Sequence, residues 1–121
     1  MSLSSVRSPR VLSKKIQDLT AEIHLEIPED LAYFDGHFKD MPVVPGVVQL
    51  HWVVDFIQTL FNVSAPITKG AQIKFMNLMQ PLHRPILHLE INPEKCLITY
   101  KYTTDNEKDD LYSSGKLTYD A

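Results

Sequence analysis

The chain has 121 residues, 44% of them hydrophobic and 22% charged, with a formal net charge of −3. That is enough for one domain around one core, and the negative balance argues against nonspecific nucleic-acid binding, which draws on clustered positive charge. A single cysteine, Cys96, excludes an intrachain disulfide and fits a reducing, cytoplasmic setting. The N-terminus lacks the apolar core of a secretory signal, and no run approaches the roughly 18 apolar residues of a membrane span.

Residues 1–10 are polar and Ser-rich, with Arg7 and Arg10 around Pro9, and predict a flexible leader ahead of a single domain over 11–121, with a docked arm as the competing reading. In the run from Ile16 to Ile27, Ala21, Ile23, Leu25 and Ile27 alternate with Glu22, His24 and Glu26. Period two predicts a half-buried strand, ended by Pro28. A turn-rich segment follows, holding Gly36, His37, Pro42, Pro45 and Gly46. From Val47 to Phe61 the chain is apolar around nearly its whole circumference, predicting a helix that starts at Pro45–Gly46 and is wrapped by other structure.

Ile67 to Met79 predicts a strand with imperfect alternation, hence a bulge or burial on both sides. Pro81 and Pro85 bracket a turn carrying His83 and Arg84, an exposed basic turn on this reading. Ile86–Ile91, Cys96–Thr103 and Leu111–Tyr119 predict three more strands, joined by an Asn92–Lys95 turn and a charged loop over 105–110. The loop lacks EF-hand spacing and reads as solvated. Short connections between consecutive strands imply an antiparallel sheet, and one such sheet curled around one apolar helix is an α+β architecture. Part of the helix and the sheet edges would remain uncovered, which predicts a homodimer.

The central stretch also carries a candidate site. Backbone N–H groups at a helix start are unpaired and favour negative charge, and Gly46 would let a ligand approach them closely. An anion or polarised carbonyl near Gly46 and Val47, with His37 beside it, makes a plausible acid–base centre. The competing reading is a surface histidine and a core helix with satisfied polar residues. Inside the helix, His51 and Asp55 are four apart and share a face.

The run GHFKDMPVVPGVVQLHW, residues 36–52, resembles the signature of hot-dog-fold 3-hydroxyacyl-acyl-carrier-protein dehydratases, roughly G-H-F-P-x-x-P-x-x-P-G-V-x-x-x-E/D. Gly36, His37, Phe38, Pro42, Pro45, Gly46 and Val47 fall in register. IKFMNLMQPLHRP and SSGKL are similar more loosely, and the likeness spans about Leu19 to Tyr119. LAYFDGHF and PGVVQLHW most resemble the small aryl-polyene-type (ApeI-like) branch. The resemblance implies a hot-dog homodimer that removes water from a 3-hydroxyacyl thioester on the phosphopantetheine arm of an acyl carrier protein. It implies His37 as the base that takes the C2 proton and the helix start at Gly46 and Val47 as the carbonyl site. It further implies an active site shared between subunits and an acyl tunnel beside the helix.

One departure matters. The family's acid lies fourteen residues after the histidine, and that position is His51 here. An imidazole can still donate a proton, and Asp55 one turn on would fix its tautomer by accepting a hydrogen bond. The catalytic candidates are thus His37 and His51, with Asp55 and Gln49 as supporting residues. Lys39 and Asp40 also depart from the pattern and alter the loop surface. Two further readings stay open: a hot-dog acyl thioesterase, and a non-catalytic acyl-binding dimer that lost its chemistry with the acid. No cofactor and no metal site are expected, since neither phosphate-loop nor zinc spacing occurs.

Overall fold

The computed structural model describes residues 6–34, 42–105 and 110–120. Six strands, β1 (Arg10–Gln17), β2 (Thr20–Glu26), β3 (Ile67–Phe75), β4 (Ile86–Asn92), β5 (Leu97–Thr103) and β6 (Leu111–Tyr119), form one sheet in the order β1-β2-β4-β5-β6-β3. Every neighbouring pair is antiparallel. The single α-helix, α1 (Gly46–Phe61), lies against the sheet's inner face, and a short 3-10 turn over Ala32–Phe34 leads towards it. The expected α+β architecture is thus present.

The inner face is written in alternation. Ala21, Ile23 and Leu25 on β2 are buried beside Leu87, Leu89 and Ile91 on β4, and Ile98, Tyr100 and Tyr102 on β5. Trp52, Val53 and Ile57 of α1 close the same core and are at most 1% exposed. Each fully buried Leu, Ile or Val contributes roughly 1.5–3 kcal/mol, so this row of contacts, not hydrogen bonding, holds helix to sheet.

Two expectations require correction. The strand read over Ile16–Ile27 is two strands: β1 and β2 form a hairpin whose turn places Asp18 at φ 54°. β1 escaped sequence reading because RVLSKKIQ does not alternate. As an edge strand exposed along its whole length, it has no buried face to impose a period. Residues 6–10 are not a loose leader: Val6 bridges to Leu31, Pro9 is buried, and the Trp52 indole N–H donates to the Arg7 carbonyl at 2.9 Å. As the sheet's partial cover implied, α1 is not wrapped all round within one chain. Its side carrying Val47, His51, Asp55 and Gln58 is exposed, with Val47 at 73%.

β3 stops at Phe75, short of the expected Met79, and its pairing with β6 slips between Ile67 and Lys69 and between Ala71 and Lys74. Gln72 at φ 55° marks the irregularity that the imperfect alternation implied. At the hairpin side, Glu26 receives both Arg84, at 3.1 Å, and Arg10, so its carboxyl is held below the usual range, chiefly by Arg84.

Gly115 faces Tyr100 across the β5–β6 ladder, a large side chain opposite none. A Cβ there would lie 2.9 Å from Ile73 Cγ1 and 3.0 Å from Tyr100 Cε1. Gly115→Ala should therefore lower unfolding stability by about 1–3 kcal/mol, read as a fall in the urea midpoint; an unchanged midpoint would show that this contact can relax freely.

Candidate active site

The start of α1 is built without a cap. Pro45 precedes the helix at φ −59° and ψ 147°, no side chain among the described residues caps it, and the first turn holds no acid. The Pro45 carbonyl already accepts from Val48 N at 3.0 Å and Gln49 N at 3.2 Å. Gly46 and Val47 are left with N–H groups that have no partner among the described residues. Two parallel donors at the positive end of a sixteen-residue helix make a site for an oxyanion or polarised carbonyl.

Glycine at position 46 has a packing reason beside the expected one. A Cβ there would meet Phe75 Cζ at 2.6 Å, so the missing side chain makes room for the Phe75 ring. That ring is 52% exposed at the end of β3, and Val47, Met76 and Leu78 are exposed apolar side chains as well.

The exposed stripe of α1 carries the next pair. His51 Nε2 lies 3.3 Å from Asp55 Oδ2, on successive turns, with the two side chains 62% and 51% exposed. An exposed i,i+4 pair of this kind adds only about 0.3–0.5 kcal/mol, so its value lies in orienting the ring, not in stability. With Nε2 turned to the carboxylate, Nδ1 is the nitrogen presented elsewhere.

Gln49, on the opposite flank, is 3% exposed and fully engaged with the sheet. Its Nε2 donates to the Val44 carbonyl at 3.2 Å, and its Oε1 accepts from Ser113 Oγ at 2.7 Å. Its main-chain carbonyl accepts from Tyr102 Oη at 2.7 Å. Burial pushes the Tyr102 phenol well above its ordinary range, with Tyr100 adding to the rise, so it stays a donor. Tyr100 Oη is buried without a partner among the described residues, and burial raises it too; the Ser113 hydroxyl offsets part of that rise without reaching hydrogen-bonding geometry. Ser113 opens the SSGKL stretch, which assigned it no role, and Tyr102 carries no motif.

His37, with Gly36, Phe38, Lys39 and Asp40, lies outside the described residues. Arg84 is exposed, as expected of a basic turn, whereas His83 is half-buried, and both have partners. His83 Nδ1 accepts from Gln80 N at 3.2 Å and lies 3.1 Å from Tyr112 Oη, while Arg84 is bound to Glu26. Among the described residues no three His, Cys, Asp or Glu side chains converge as metal ligands, and no helix is long and apolar enough to cross a membrane.

Two recesses flank these groups. One, of about 460 Å³, runs beside α1 against the N-terminal arm, lined by Pro9, Val11, Trp52, Asp55, Phe56 and Leu60. It is largely apolar and touches the His51–Asp55 pair through Asp55. The larger, about 620 Å³, opens on the sheet's outer face among Lys15, Lys74, Lys101 and Lys116 and includes no residue of α1. Size favours the second, but chemistry favours the first, which lies beside the helix that carries the titratable pair.

A family profile described as ApeI-like, ApeI dehydratase, matches residues 13–116. This chain belongs to the ApeI-like dehydratase family. The ApeI-like assignment agrees with solved structures. The dehydratase heterocomplex ApeI:P from Xenorhabdus doucetiae is 28% identical, superposing with a TM-score of 0.83 over 92% of this chain and 96% of that one. An uncharacterized protein from Erwinia carotovora subsp. atroseptica is 30% identical, with a TM-score of 0.80 over 92% and 94%. Thioesterase superfamily member 2 from Mus musculus, at 15% identity and a TM-score of 0.64 over 92% and 80%, shares the hot-dog fold alone. No curated protein matches the sequence. The hot-dog expectation from the 36–52 motif is therefore correct, and the ApeI-like branch is the right one.

Because His51 and Asp55 are exposed, His51→Ala and Asp55→Asn should each move unfolding stability by no more than about 0.5 kcal/mol. Denaturation curves overlapping the parent's would make any activity loss in these variants a loss of chemistry. A shift of several kcal/mol would give the pair a structural role instead.

Proposed function

We propose that this chain removes water from a 3-hydroxyacyl thioester, carried on an acyl carrier protein, to give the trans-2-enoyl thioester. The observation that carries this reading is the His51–Asp55 pair, 3.3 Å apart, on the same exposed stripe of α1 that begins at the unpaired helix-start amides. Membership of the ApeI-like dehydratase family supports the reaction class. The substrate and carrier rest on the resemblance of the 36–52 motif.

In this mechanism the neutral His37 imidazole takes the C2 proton. Charge builds on the thioester oxygen as that bond breaks, and the N–H groups of Gly46 and Val47 stabilise it; a lost donor of this kind costs about 100- to 1,000-fold in rate. The C3–O bond then breaks while C2=C3 forms. His51, as imidazolium, gives its Nδ1 proton to the departing hydroxyl, which leaves as water. Its Nε2–H stays donated to Asp55, so the carboxylate fixes the ring and balances its charge. Proton exchange with solvent resets both histidines, and no cofactor or metal enters. The acyl tail takes the apolar groove beside Trp52, Phe56 and Leu60.

The site is shared between two subunits of a homodimer. The exposed stripe of α1, the exposed apolar side chains of Val47 and Phe75, and the outer edges of β1 and β3 support a covering partner. The relative from X. doucetiae assembles as a heterocomplex, so a related but different chain is the other occupant to test. We place the activity in the cytoplasm, where the lone cysteine stays reduced.

Incubation with a 3-hydroxyacyl-carrier substrate separates the three readings. Enoyl product is expected; free acid would mean a thioesterase, and bound but unchanged ligand an acyl-binding dimer. His37→Ala should abolish enoyl formation, and Asp55→Asn should lower kcat and move the acidic or basic limb of its pH profile. An Asp55→Asn enzyme with the parental rate and profile would remove Asp55 from the mechanism.

A further inference from the structure

A carboxamide buried on a packed helix flank costs free energy unless its polar atoms are paired, and an apolar residue of similar length would fill the same space. Packing alone therefore does not call for glutamine at position 49. Its orientation is set by chemistry: a backbone carbonyl can only accept, so Nε2 must face Val44, which leaves Oε1 for the Ser113 hydroxyl. The side chain thus joins β6 to the segment that enters the helix.

Where those bonds end is the informative part. Val44 is the residue before Pro45, and its own N–H donates to the Met79 carbonyl at 2.8 Å. Both polar groups of Val44 are therefore held, one by the loop after β3 and one by Gln49. Beyond it comes Pro45, whose ring fixes φ, and then the two unpaired amides of Gly46 and Val47. The Pro45 carbonyl, in one peptide plane with the Gly46 N–H, is held by Val48 N and Gln49 N, and Val44 is the next residue outward whose polar groups are both held.

We infer that Gln49 is a positioning residue: braced by Ser113, it fixes the Val44 carbonyl and through Pro45 aims the N–H groups of Gly46 and Val47 at the substrate carbonyl. This rests on the dehydration reading for its kinetic consequence, whereas the placement of the amides can be observed without turnover. Donors help catalysis only when already aimed, and misplacement by about 1 Å costs on the order of 100-fold.

The test compares Gln49→Met, Ser113→Ala and the double variant. Gln49→Met keeps length and volume but strands the Val44 carbonyl and the Ser113 hydroxyl; Ser113→Ala, added to it, removes the second of these. We measure urea midpoints, kcat and KM with a 3-hydroxyacyl thioester, and the amide ¹H–¹⁵N shifts of Gly46 and Val47. Gln49→Met should lower kcat about 10- to 100-fold while KM changes less than about threefold, and should move both amide resonances. The double variant should regain part of the midpoint yet keep the low kcat and the moved resonances. Recovery of kcat together with stability in the double variant would reduce Gln49 to a packing residue. Unmoved Gly46 and Val47 resonances in Gln49→Met would overturn the inference outright. Should Gln49→Met not fold, Ser113→Ala alone must still move the two resonances and lower kcat, and parental values of both would overturn it. If the parent forms no enoyl product, the dehydration reading fails, and the resonances alone decide whether Gln49 positions the amides.

Discussion

Burial of Trp52, Val53 and Ile57 against the inner face of the sheet fixes the rotation of α1 about its axis, and the rest of the molecule follows from that rotation. With this flank inward, the 3.6-residue repeat turns Val47, His51 and Asp55 outward together. Turning the helix by one residue, about 100°, would bury the His51–Asp55 pair without partners and expose the indole, a change costing several kcal/mol. The core thus presents the titratable pair as a by-product of packing well. The same rotation brings Gln49 onto Ser113 and Tyr102, so its carboxamide oxygen meets one hydroxyl and its main-chain carbonyl another.

The helix start is the second product of this arrangement. Most helices close their first turn with a Ser, Thr, Asp or Asn side chain, which would consume a free N–H. Pro45 supplies a fixed approach and no such acceptor, so Gly46 and Val47 keep their donors. Leaving donors open costs stability, whereas the other end of the helix closes conventionally on Asn62 in the left-handed conformation. A stabilised core and an unsatisfied helix tip are the division of labour expected of a scaffold that holds a polarised oxygen.

Much of this could be read before any coordinates. The bounds of α1 and of β4, β5 and β6 follow from Pro45, from the Asn92–Lys95 turn and from alternation, because each element has a buried face that writes its period into the sequence. β1 has no such face, and its exposed residues erase the signal. The His51–Asp55 contact was legible because four-residue spacing on a helix is itself a geometric statement. The Gln49 network was not: Ser113 is 64 positions away, and only the sheet register brings it there. Apolar residues such as Val47 carry the same signal whether a chain's own sheet or another subunit supplies the cover, so the sequence alone does not say which side of α1 stays exposed.

The central claim is that the uncapped start of α1 receives the carbonyl of a 3-hydroxyacyl thioester while His51 faces its hydroxyl. The most direct measurement is a crystal structure of the assembled protein with a non-hydrolysable 3-hydroxyacyl thioester analogue. The account predicts the analogue's carbonyl oxygen within hydrogen-bonding distance of Gly46 N or Val47 N, and the C3 hydroxyl beside an imidazole of His51. An analogue bound with its carbonyl away from the helix start, or seated in the lysine-lined recess on the outer face, would contradict it.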